Sequence, residues 1–275
     1  MTSTTGQGPR AVVLGAGGVV GTAWMAGLAA GLREHGVDLA AADLVVGTSA
    51  GAIVGAILAT GQDPAALATP RARTGDTMPA PDPGRLGEVF AVLGDPGLDP
   101  VTARREVGRL ALASGIPERV QLAQVEALIT AREWPERRLL VTAVDTGTGE
   151  RRVWDRASGA PFIPAVASSM AFPGAAPPIT VGGRRYMDGG LCSATHTDLA
   201  ADARTLVVVE PLAHLFPSEA PPPELATATV VTISPDPATV AVFGADLYNR
   251  TAWLPAFQAG VRQAAERAEQ VRAVW

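Results

Sequence analysis

Apolar and polar positions change period several times along the chain, and each change marks an element. The apolar run at 11–14 (AVVL) is short and continuous, the pattern of a strand covered on both faces. The glycine-rich stretch 15–21 (GAGGVVG) then opens a helix running to about His35, with Trp24, Leu28 and Leu32 at helical spacing. Gly36, Val37 and Asp38 close it. A second strand at 44–48 passes directly into 50–58 (AGAIVGAIL), a helix apolar around most of its circumference. Strand, glycine loop, helix, strand is the order of a parallel sheet with crossover helices.

Between 61 and 100 the periodicity fails while Pro, Gly and Asp accumulate, so this stretch reads as a variable loop or lid region. Two helices follow at 100–114 and 117–132, with Glu118, Arg119, Glu126 and Arg132 on solvated faces. Residues 138–145 form a strand, 146–149 a turn, and 150–154 the returning arm of a hairpin. A short helix at 162–170 stops before Pro173 and Gly174. A second hairpin, 179–181 with 184–187 around Gly182 and Gly183, delivers Asp188, Gly189 and Gly190. Strands at 206–210 and 230–234 and a C-terminal helix from 246 or later complete the pattern. No internal repeat is visible. Residues 1–9 are expected to be a flexible tail and 10–275 a single domain: three-layer α/β/α with a mainly parallel central sheet.

Composition adds limits. With 275 residues and 47% hydrophobic content the chain can bury a large core. A net charge of −5 without a dense basic run argues against nucleic acid as partner. The single cysteine, Cys192, excludes an internal disulfide and a cysteine-rich zinc site, and is expected to be a small buried residue. No metal or cofactor is expected. A polar start without a signal-peptide core, and no apolar run long enough to span a bilayer, read as a soluble cytoplasmic protein.

Chemistry concentrates at Gly47-Thr48-Ser49-Ala50-Gly51. This is the G-x-S-x-G pattern, in which a tight strand-to-helix turn presents a serine hydroxyl. An ordinary small-residue turn has the same appearance. The loop Gly15–Gly21 leaves backbone N–H groups unobstructed at a helix start, suited to an oxyanion. A dinucleotide site is the competing reading, but Val20 occupies the third glycine position of G-x-G-x-x-G. A base is also needed. His35 closes the first helix and reads as solvent-facing; His196 and His214 follow Asp188, so a Ser…Asp…His order is open, though neither has a distinctive setting and His214 reads as a surface residue. Asp188 itself is the other candidate base.

The glycine loop after the first strand, Gly-Thr-Ser-Ala-Gly after the second, and Asp-Gly-Gly much later together resemble the patatin-like phospholipases. The stretches 167–174 (ASSMAFPG) and 179–186 also resemble that family's approach to its aspartate. The resemblance covers 10–60 and 137–212 best.

Carried over, the resemblance implies Ser49 as nucleophile and Asp188 as general base, with no histidine. It implies an oxyanion hole at Gly17 and Gly18, with Gly15, Gly21, Gly47, Gly51, Gly189 and Gly190 supporting the turns. The implied activity is hydrolysis of a lipid or other apolar ester through an acyl-serine, with transient association at a membrane surface. An acyltransferase using the same intermediate, a Ser-His-Asp esterase and a non-catalytic nucleotide-binding module are the alternatives. The chain departs from the family where Ala16 replaces a glycine, Val20 a basic residue, and 192–196 (CSATH) the usual residues after Asp-Gly-Gly.

Overall fold

Among the described residues eight strands form one sheet, in the order β5 (Ile179–Val181), β6 (Arg184–Asp188), β3 (Arg138–Asp145), β2 (Leu44–Gly47), β1 (Arg10–Leu14), β7 (Thr205–Val209) and β8 (Thr229–Ile233), with β4 (Arg151–Trp154) paired to β3. The computed structural model describes residues 9–69, 78–216 and 222–275. At its centre β1 (Arg10–Leu14) lies parallel to β2 (Leu44–Gly47) and to β7 (Thr205–Val209). Parallel pairing continues from β2 to β3 (Arg138–Asp145) and from β7 to β8 (Thr229–Ile233). Beyond β3 the sheet turns antiparallel, through β4 (Arg151–Trp154), β6 (Arg184–Asp188) and β5 (Ile179–Val181).

Alternation along the central strands divides the core. Val12, Leu14 and Val45 face the larger core, beneath α1 (Gly18–Glu34), α2 (Ala50–Ala59), α6 (Phe162–Ser169) and α8 (Trp253–Arg272). Ala11, Val13 and Val46 face the other side, covered by short turns of helix at Thr197–Ala200 and Pro223–Thr227. α3 (Pro83–Leu93) and α4 (Pro100–Leu112) close a third apolar cluster over Val144 and Met187. The layers are therefore helix, mixed sheet, helix, as the element order implied. Inside the larger core the Trp24 indole donates to Gln263 Oε1 at 3.1 Å, tying α1 to α8.

Several expectations change. The stretch 61–100 is not loop throughout: it holds a helical turn at Pro64–Ala68 and α3, while 70–77 lie outside the described residues. α3 starts where Asp82 accepts from the N–H groups of Gly84 and Arg85, with Pro83 in the first turn. Only Val89 of this helix is fully buried, so it carries little apolar periodicity. Residues 1–8 lie outside the described residues, but Pro9 is tied down, its carbonyl accepting from Arg204 at 2.8 Å. The C-terminal helix, expected from 246 or later, begins at Trp253, after α7 (Pro237–Phe243), which the apolar pattern did not mark, and a connecting segment. That segment is held off a helical path because the Leu247 carbonyl accepts from Val19 and Val20, at the start of α1. The helix expected at 117–132 is likewise shorter, α5 (Glu118–Leu128), and Cys192 is half-buried rather than buried. Among the described residues no helix is long and apolar enough to cross a membrane.

Candidate active site

The elbow is built by sterics. Ser49 has φ 54° and ψ −117°, a conformation a non-glycine residue adopts only when its surroundings hold it there. α2 starts so close to β1 that a Cβ on Gly51 would stand 1.9 Å from the Leu14 carbonyl oxygen. The Ser49 N–H donates to Ser169 Oγ at 2.8 Å, and the Thr48 and Thr142 hydroxyls meet at 2.9 Å. Thr142 also touches the other half of the site, since a Cβ on Gly189 would lie 2.3 Å from its Oγ1.

The hairpin of β5 and β6 brings Asp188 to this point. Asp188 is 2% exposed, and the Ser49 hydroxyl donates to its Oδ2 at 2.7 Å. Its Oδ1 accepts from the Gly190 N–H at 2.8 Å. Burial pushes the carboxyl up to about 7, against the hydrogen bonds from Ser49 and Gly190 that favour the charged form. Burial also raises the phenol of Tyr248, helped by the negative charges of Asp188 and Asp246. A carboxylate tuned near neutrality and hydrogen-bonded to a serine can accept that serine's proton during nucleophilic attack.

In the glycine loop, Gly15 donates to Val209, Ala16 to Ala194, Val19 and Val20 to Leu247, and Gly21 to Gly17. Among the described residues, Gly17 and Gly18 are the loop positions whose N–H groups meet no protein acceptor; the same holds for Ala50, at the start of α2. Gly18 has φ 63° and its missing Cβ would stand 2.7 Å from the Leu247 carbonyl oxygen, so this bend requires glycine. Val20, at the position where the resemblance implies a basic residue, is fully buried.

Ser49, Asp188, Gly18 and Ala50 border one cavity of about 550 Å³. Leu128, Met170, Ala175, Ala176, Trp253 and Leu254 supply much of its apolar wall. Gln121, Gln124, Tyr248 and Arg250 add polar groups, and Arg250 donates to Gln124 Oε1 at 3.0 Å. Gly17 is not part of this wall; it packs against Pro211 and caps α1. Among the described residues no His, Cys, Asp or Glu group is arranged to hold a metal ion.

The structure therefore brings Ser49 and Asp188 together, while none of the three histidines borders their cavity. His35 is exposed. His214 differs from the expected surface residue: it is half-buried, its ring 5.9 Å from that of Phe243. His196 differs most, being fully buried with its Nε2 3.1 Å from the Gly189 carbonyl oxygen. Ser169, Thr142, Tyr248 and Ala50 were not singled out from the sequence. Ser169 lies in the stretch ASSMAFPG, which was the only signal for it.

The family model for patatin-like phospholipase matches residues 12–201. No curated protein matches the chain significantly. Among solved structures the chain is similar to VipD from Legionella pneumophila, at 12% identity and a TM-score of 0.46, covering 96% of this chain and 67% of that one. It is also similar to the type III effector protein ExoU, at 18% identity and a TM-score of 0.39, covering 96% of this chain and 53% of the other. The chain thus spans about two thirds of the first protein and about half of the second.

Proposed function

The chain belongs to the patatin-like phospholipase family, and from that premise we propose that it is a serine lipid acyl hydrolase working through Ser49 and Asp188. The observation that carries this reading is the 2.7 Å hydrogen bond from the Ser49 hydroxyl to a buried carboxylate.

In the proposed reaction Ser49 Oγ attacks the ester carbonyl while its proton passes to Asp188 Oδ2. The tetrahedral oxyanion is stabilised by backbone N–H groups at the glycine loop and at the start of α2. Gly18, which borders the cavity, is the first loop candidate and Gly17, behind it, the second; Ala50 joins them because it borders the cavity and its N–H meets no protein acceptor among the described residues. As the intermediate collapses, Asp188 returns the proton to the leaving alkoxide, releasing an alcohol and leaving an acyl-serine. A water then adds to the acyl carbonyl as Asp188 takes its proton. Collapse of this second intermediate returns the proton to Ser49 and frees the acid.

The predominantly apolar wall of the cavity suits an acyl chain. We take 10–275 as one catalytic domain, because the strands among the described residues share one sheet and α8 packs on α1 across the core. The reading also takes the enzyme as cytoplasmic, meeting lipid surfaces transiently.

The test is a p-nitrophenyl ester series of increasing chain length on the parent and on Ser49→Ala. Turnover that disappears in folded Ser49→Ala supports the reading, and full turnover in that variant rejects it. Adding an alcohol acceptor separates hydrolysis from acyl transfer through the product formed.

A further inference from the structure

We infer that His196 is a positioning residue for the general base, acting on Asp188 through the single peptide unit that joins Gly189 to Gly190. The inference rests on the Ser49–Asp188 reading above and adds a residue to it.

The hydrogen bonds run in one line. His196 Nε2 lies 3.1 Å from the Gly189 carbonyl oxygen. The other end of that same peptide, the Gly190 N–H, donates to Asp188 Oδ1 at 2.8 Å. Asp188 Oδ2 in turn accepts from the Ser49 hydroxyl. A ring N–H on the oxygen and a carboxylate at the N–H hold the peptide from both ends and polarise it in the same sense. Since a carbonyl only accepts, Nε2 carries the proton. Arg151 Nη1, 3.2 Å from Nδ1, donates to the remaining lone pair, so the two contacts select one tautomer.

The rest of the segment is built to keep the ring there. His196 is fully buried at φ 59° and ψ 45°, a left-handed conformation uncommon for a non-glycine residue. Ser193 Oγ accepts from the His196 N–H at 2.8 Å, and the Ala194 carbonyl accepts from Ala16 at 2.8 Å. The segment therefore bridges the aspartate turn and the glycine loop. Outside, Arg151 also pairs with Asp198 at 2.7 Å, bracing the ring from the edge. The charged and titratable groups concerned are Arg151 and Asp198 around the ring, and Ser49 and Tyr248 around Asp188.

The decisive comparison is His196→Leu with His196→Gln, which impose the same backbone strain and differ in the donor. His196→Leu is expected to lower kcat about ten- to a hundredfold, as for a misplaced catalytic group, with KM changed little. His196→Gln should recover part of that loss. The acid limb of kcat/KM should move to higher pH in His196→Leu, because the Gly190 hydrogen bond favours the charged carboxylate and is weakened. A merely loosened core would admit water to Asp188 and move the limb the other way. Unchanged kcat, or a limb displaced to lower pH, overturns the inference. If His196→Leu does not fold, Arg151→Met decides: a smaller loss of kcat with the same upward displacement supports the inference, and parent-like kinetics reject it. Ser49→Ala in the same assay keeps the two readings apart, since activity surviving there rejects the serine mechanism itself.

Discussion

The hydroxyl of Ser169 accepts a hydrogen bond from the Ser49 N–H at 2.8 Å, across 120 residues of chain. It satisfies a backbone donor where the elbow bends most sharply, with Ser49 at φ 54°. Ser169→Ala leaves that buried N–H without its partner, costing about 1–3 kcal/mol of stability. Freed from this anchor, the elbow is expected to lose about tenfold in kcat with KM little changed. Denaturant unfolding and steady-state kinetics on the same preparation check both.

In the proposed mechanism Asp188 must be ionised to take a proton, and burial raises it to about 7. Activity is therefore expected to rise with pH and reach half its plateau near pH 7 in a kcat/KM profile. Stability should run the opposite way. Between the unfolded value near 3.8 and the folded value of about 7, the native state holds a proton that the unfolded chain has lost. This group's stabilising contribution is complete below the unfolded value and falls by about 1.4 kcal/mol per pH unit through that window. Asp188→Asn is expected to be inactive yet more stable than the parent at pH 8, by a few kcal/mol at most. Thermal melts from pH 4 to pH 8 would show the two curves diverging.

Two glycines should respond in opposite ways to alanine. At Gly51 the new Cβ would meet the Leu14 carbonyl 1.9 Å away, so Gly51→Ala is expected to spoil the elbow and lose both stability and activity. At Gly87, in α3, a Cβ meets nothing within 4 Å. Gly87→Ala should stabilise by about 0.5–1 kcal/mol without altering turnover. Parallel melting and activity measurements on the two variants make the comparison.

Ala176 lies on the cavity wall and is almost fully buried. Ala176→Phe places a ring in the space proposed for the acyl chain. The ratio of kcat/KM for a long-chain to a short-chain p-nitrophenyl ester is expected to fall about tenfold. An unchanged ratio would place the acyl chain elsewhere.

Local pattern was enough for much of the architecture. Continuous apolar runs at 11–14 and 44–47, glycines between strands and helices, and Gly182-Gly183 in a hairpin are short-range signals that need no partner. α3 escaped because its stability comes from an Asp82 cap and one buried face, Val89, rather than from a wide apolar stripe. The start of α8, open from 246 onward in the sequence, is fixed at Trp253 with Leu247 held by α1, far away in sequence.

The sequence by itself determined the order of the strands, the family and the pair of side chains worth placing together. Those depend on residue types and spacings that any reader of the chain can see. Only the tertiary structure decided that Ser49 and Asp188 meet at 2.7 Å, that burial raises Asp188, and that Ser169 anchors the elbow. It also turned His196 from a residue without a distinctive setting into a buried support for the Gly189–Gly190 peptide. The physical reason is that desolvation belongs to the packed chain, and that the Ser49–Asp188 and Ser49–Ser169 hydrogen bonds join residues 139 and 120 positions apart. The ring of His196 is only seven residues from Gly189, but its burial and left-handed backbone are set by the packing around it.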